Sequence, residues 1–196
     1  MGERGMNNYR FQERLEWSKG RLGETDIDTI RNVLSGCVCV EEAPVDIDKL
    51  GIDYIATLRL GSKIHLDVKR RERGVSRYWD GEPELTLEQW SVCPSGSLRG
   101  VVGWTLDESK ATDYVLYTFD PSDCGTAYLI PFQLLRMAYL HNNGAWRQRY
   151  KIGRCTTDGR YETESVFVPC SKVLEAVSAE MRLHDTRRKT EQYRRE

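Results

Sequence analysis

Gly51-Ile52-Asp53-Tyr54-Ile55-Ala56-Thr57-Leu58-Arg59-Leu60-Gly61-Ser62-Lys63-Ile64-His65-Leu66-Asp67-Val68-Lys69 reads as two strands and a turn. Residues 53–59 and 63–70 alternate apolar and polar, and Leu60-Gly61-Ser62 between them predicts a hairpin. Side chains alternate with period two, so Ile64, Leu66 and Val68 share one face. His65, Asp67 and Lys69 share the other. A turn centred near Gly61 pairs residues whose numbers sum to about 122. That register sets Asp53 opposite Lys69 and beside Asp67, gathering two carboxylates and a lysine at one end of the hairpin.

Two close carboxylates repel unless one is protonated or a cation lies between them. With Lys69 as that cation, the cluster is a cross-strand ion pair on a wet sheet. With a divalent metal, it is a catalytic centre. Mg²⁺ is held by one or two carboxylates together with waters and substrate phosphate oxygens. The lysine would then orient or help deprotonate an attacking water while the metal stabilises charge on phosphorus. The residue types alone leave both readings open.

Gly51-Ile52-Asp53, thirteen residues, then Asp67-Val68-Lys69 on an apolar strand resembles the signature of the PD-(D/E)xK nuclease superfamily. That superfamily includes restriction endonucleases, junction resolvases and phage exonucleases. The resemblance covers roughly residues 8–70 and implies a restriction-endonuclease-like fold. It implies that Asp53 and Asp67 bind Mg²⁺, or Mn²⁺ in its place, with the Val68 carbonyl as a further ligand. Lys69 would be the catalytic lysine. Members often add a glutamate from the first helix; Glu13 and Glu16 are the candidates, and Glu16, at the border of the Phe11/Leu15 face, is the better placed. Ile52 stands where the family pattern has its proline. The implied activity is metal-dependent hydrolysis of phosphodiester bonds, with DNA favoured as partner. The alternative is a catalytically inactive module of the same fold that binds nucleic acid or a protein. Many nucleases cut two strands as dimers, so a homodimer is admitted.

Working outward, 196 residues suit one α/β domain, expected over 1–184 with a frayed tail at 185–196. The layout predicts a mixed central β-sheet flanked by helices. With 39% hydrophobic and 30% charged residues, the chain can fill a core, and wholesale disorder is excluded. No apolar run approaches the roughly 20 residues that span a bilayer. The polar N-terminus has no secretory h-region. Six cysteines without a C-x-x-C pair fit reduced thiols in a cytoplasmic protein better than disulfides or zinc.

The 29 basic and 30 acidic residues are segregated. Residues 24–53 hold eight acids against Arg31 and Lys49, whereas residues 63–77 and 136–160 are basic. Arg70, Arg71 and Arg73 continue from Lys69 and would line the approach to the site as phosphate contacts. Arg147, Arg149, Lys151 and Arg154, read along a strand, would form a second phosphate-binding stripe. Tyr78 and Trp79 are read first as loop anchors and second as stacking platforms for unpaired bases. Lys110 and Asp113 are read first as turn chemistry and second as groups that reach the site or the nucleic acid, and His65 as an ordinary satisfied histidine rather than a general base.

Helices are expected over 8–19 and 26–34, the second capped by Asp26. Strands are expected over 38–40, 85–92, 101–106 and 114–119. Two strand–proline–helix units follow: 128–131 into 132–140, and 166–169 into 170–181.

Overall fold

A computed structural model describes residues 24–71, 73–157 and 161–193. The expected helix over 8–19, with Glu13 and Glu16, lies outside the described residues, as do Glu72, Asp158 and Arg160. The elements in chain order are α1 (Glu24–Val33), β1 (Cys37–Glu42), α2 (Val45–Asp48), β2 (Tyr54–Leu58) and β3 (Lys63–Arg70). Then come a 3₁₀ turn (Val75–Tyr78), β4 (Glu84–Val92), β5 (Val101–Val102), β6 (Tyr114–Thr118) and β7 (Ala127–Pro131). The chain closes with α3 (Phe132–Arg149), β8 (Ile152–Thr157), β9 (Tyr161–Pro169) and α4 (Cys170–Tyr193). The class is mixed α/β.

Two sheets form where one central sheet was expected. The first has five strands in the order β1-β2-β3-β6-β7, antiparallel except for the parallel pair β3–β6. The second has four, β5-β4-β9-β8, all antiparallel. The reason is chain geography: β4 and β5 fall between the parallel partners β3 and β6, and β4 finds its long partner in distant β9. Only Val101 and Val102 of the strand expected over 101–106 pair as strand; the Gly103 amide still bonds the Gln89 carbonyl before the chain turns.

The hairpin face parity holds. Ile64, Leu66 and Val68 pack with Ile30 and Leu34 against Val40, Tyr54, Ala56 and Leu116. This buried cluster fixes α1 on one face of the first sheet. Asp26 lies within α1 rather than at a cap before it. There it is 1% exposed and paired with Arg70.

On the other face, Val115, Tyr117 and Ile130 join Leu85, Leu87, Val166 and Val168 of the second sheet. α3 and α4 cover that cluster with Phe132, Leu135, Tyr139, Trp146, Val173 and Val177. Both strand–proline–helix units form, and both helices outrun their expected ends, α3 to Arg149 and α4 to Tyr193. Arg147 and Arg149 therefore close a helix instead of lying along a strand.

Gly103 holds the return from β5 against β4. A Cβ there would meet the Glu88 carbonyl oxygen at 2.4 Å, so no side chain fits without moving backbone. Gly103→Ala is expected to destabilise the fold by about 1–3 kcal/mol, the usual cost of overpacking, as read by urea denaturation.

Candidate active site

The site is built where three segments meet: the exit of α2, the centre of β3 and the loop before β6. α2 ends through Leu50 and Gly51, whose amides bond back to Ile47 and Asp48. Gly51 adopts φ 75°, a conformation that L side chains avoid. The chain then enters the sheet through buried Ile52, and the Asp53 amide bonds to the Leu66 carbonyl at 2.8 Å.

The β2–β3 ladder pairs Tyr54 with Leu66 and Ile55 with His65. The register is two residues from the expected one, because the turn centres on Leu60, with the Leu58 amide bonded to the Ser62 carbonyl. Asp53 therefore stands opposite Asp67, not Lys69. The shift is even, so face parity survives and the two carboxylates still share a face. The Val68 amide donates to Asp53 Oδ2 at 2.6 Å. A strand residue turns its N–H and C=O to the same side, so the Val68 carbonyl also opens toward Asp53.

Asp67 is 1% exposed and each of its oxygens meets a lysine. Lys69 Nζ lies 2.5 Å from Oδ1 and Lys110 Nζ 2.6 Å from Oδ2. Of the two readings of Lys110, the structure bears out reach to the site over turn chemistry: the loop delivers its ammonium to Asp67. The Ala111 amide bonds to the Leu50 carbonyl and the Thr112 hydroxyl donates to the Gly51 carbonyl, which anchors that delivery. A Cβ on Gly51 would sit 2.5 Å from Lys110 Nζ, so the glycine also makes room for the lysine. Lys69 further lies 5.6 Å from the Trp104 ring centroid, with Glu88 contributing a favourable charge.

Asp113 does not make a local turn contact. Its carboxylate accepts from the His65 amide at 2.8 Å and lies 3.5 Å from His65 Nδ1, tying β3 to the start of β6. His65 is satisfied, as expected.

The charges are tuned in opposite directions. Burial pushes Asp53 up, the Asp67 charge adds to it, and the group reaches about 6 despite Lys69 and the Val68 amide. Burial also raises Asp67, but Lys69 and Lys110 outweigh it and hold the carboxyl below its ordinary value. Burial pulls Lys69 down, yet Asp67, Asp53 and Glu88 leave it raised, so it remains an ammonium.

The arginines divide. Arg70 faces α1 and pairs with Asp26. Arg71 continues on the site face, its guanidinium carbon 5.7 Å from the Phe167 ring centroid. Arg73 is exposed beyond the strand. Arg147 is engaged by Gln89 and by buried Glu164, which also takes Arg154. Arg149 is exposed at the end of α3, 5.6 Å from the Tyr150 ring centroid.

Among the described residues, no group of three or more Asp, Glu, His or Cys side chains gathers into a metal cage. The donor set that the resemblance implies is two carboxylates and the Val68 carbonyl. That oxygen set suits Mg²⁺, which keeps several waters and takes further ligands from substrate. A cation between Asp53 and Asp67 would also relieve the repulsion that raises Asp53. No family model, curated protein or solved structure matches the chain. Among the described residues no helix is long and apolar enough to cross a membrane.

Asp53 titrates higher in the folded chain than its ordinary 3.8, so its ionisation removes stability as pH rises from near 4 through about 6. Asp53→Asn keeps the acceptor for Val68 and deletes the charge. Thermal melts across pH should show the variant more stable above pH 7, by up to about 3 kcal/mol. The gain should shrink below pH 6 and vanish near pH 4.

Proposed function

We propose that the chain is a metal-dependent nuclease that hydrolyses phosphodiester bonds, most favourably in DNA, on a restriction-endonuclease-like fold. The observation that carries this reading is the convergence of Asp53, Asp67 and Lys69 at the end of one hairpin, with the Val68 amide bonded to Asp53. It joins the resemblance to the PD-(D/E)xK signature with a donor set suited to Mg²⁺ or Mn²⁺. Asp53, Asp67 and Val68 would hold the ion, which when bound supplies Lewis-acid stabilisation of charge on phosphorus.

The chain's own residues supply the rest. Lys69 is an ammonium, so it donates to the attacking water and to the charge that develops on the phosphoryl oxygens; it does not take the water's proton. Lys110 adds a second preorganised positive charge from the opposite side of Asp67. Asp67 fixes both lysines at bonding distance, so their positions are set before substrate arrives.

A second reading has one observation in its favour. Both oxygens of Asp67 already carry a lysine, and an acid between two ammoniums is electrostatically complete without a metal. A module that binds nucleic acid or a protein without cutting would keep such a triad.

Cleavage of plasmid and single-stranded DNA with Mg²⁺ or Mn²⁺ separates the two. Wild type should nick or degrade DNA, and Asp67→Ala and Lys69→Ala should each lose about 100-fold or more in rate. Cleavage that survives both substitutions, or salt-dependent binding without any cleavage by wild type, would sink the nuclease reading.

A further inference from the structure

Beyond the carboxylates, the site face of β3 continues into a line of cations that ends on an exposed aromatic ring. Arg71 follows Lys69 by strand alternation, and its amide bonds to the Thr118 carbonyl at 2.8 Å, extending the parallel ladder. Its guanidinium stands over the Phe167 ring, and its buried Nε has no hydrogen-bond partner. Lys151 lies over that same ring at 5.8 Å, and 5.4 Å from the Tyr78 ring centroid. Arg77 approaches Tyr78 at 4.7 Å. Three ring contacts thus lead from Arg71, two residues beyond Lys69, to Tyr78.

Tyr78 and Trp79 have separate tasks. Trp79 packs edge-on against Phe119 at 5.4 Å and anchors the 3₁₀ turn to the core. Tyr78 is 59% exposed and contributes little to the core. Glu84, which is buried, acts electrostatically with Lys151, Arg71 and Asp80, and the Asp123 carboxylate accepts from the Gly74 and Ser76 amides at the other end of the turn.

We propose that this face binds a single-stranded or splayed segment of nucleic acid, with phosphates along Arg71, Lys151 and Arg77 and an unpaired base stacked on Tyr78. Every base has a π-face, so such stacking tolerates sequence. Arg77 and Lys151 sit on long stems. A base reaching the ring trades one cation contact for stacking and frees that cation for the neighbouring phosphate. The inference rests on the nuclease reading and deepens it, since it assigns the substrate an unpaired stretch beside the scissile bond.

The test is fluorescence anisotropy of the full chain with a labelled single-stranded oligonucleotide and a blunt duplex, in Ca²⁺ without Mg²⁺. Tyr78→Ala should weaken single-strand binding by about tenfold and leave duplex binding within about twofold. Tyr78→Trp should restore it. Lys151→Gln and Arg77→Gln should each flatten the log–log salt dependence on single strands by about 0.7. Unchanged single-strand binding in Tyr78→Ala, or an equal loss on duplex, overturns the proposal. Asp67→Asn separates the two readings, because it should abolish cleavage and keep the stacking-dependent binding. A wild type that shows that binding yet never cuts would retain this inference and lose the nuclease.

Discussion

A carboxylate with almost no contact with water sits between two ammoniums, and the arrangement of the chain around it follows from that pairing. Burying an ion costs several kcal/mol unless its partners replace the lost water. Asp67 meets that cost with Lys69, two residues along its own strand, and with Lys110, which arrives from a loop 43 residues later. The first partner comes with strand alternation. The second requires β6 to run parallel to β3, Thr112 to hold Gly51, and Gly51 to carry no Cβ. Removing either lysine would leave a buried charge underpaired.

The same pairing separates two carboxylates of identical chemistry. Asp67 takes both lysines and is held low, while Asp53, supported by one backbone amide and disfavoured by burial and by Asp67, is raised. Environments that push two neighbouring groups apart are common at functional sites, though structural ion pairs do the same. What favours the proposed function here is the combination of an acid held ionised, a neighbouring acid raised to about 6 and a cation fixed at hydrogen-bond distance.

Much of the hairpin was legible in the sequence because its information is local. Alternation in Ile64–Lys69 assigned faces correctly, and an error of two in register left them intact. Pro131 and Pro169 marked both helix starts. Two of the misses depend on pairing across long sequence distance. Nothing local in residues 104–113 indicates that Lys110 lies against β3, or that β4 pairs with β9 rather than with the hairpin. A third is local: Arg147 and Arg149 alternate as a strand would, yet they close the helix whose buried face is Leu135, Ala138, Tyr139 and Trp146. The near-neutral total charge also resolves into placement. Arg70 turns inward to Asp26, whereas Arg71 joins the outward basic face.

Titration of the full chain with Mn²⁺ by calorimetry near neutral pH tests the central claim most directly, because it asks whether Asp53 and Asp67 form a metal centre independent of any substrate. The account predicts saturable binding of Mn²⁺ that disappears in Asp53→Asn and in Asp67→Asn while both variants remain folded. Absence of a binding heat in the wild type, or a heat unchanged by both substitutions, would contradict it and leave Asp67 with its lysines as an ion triad alone.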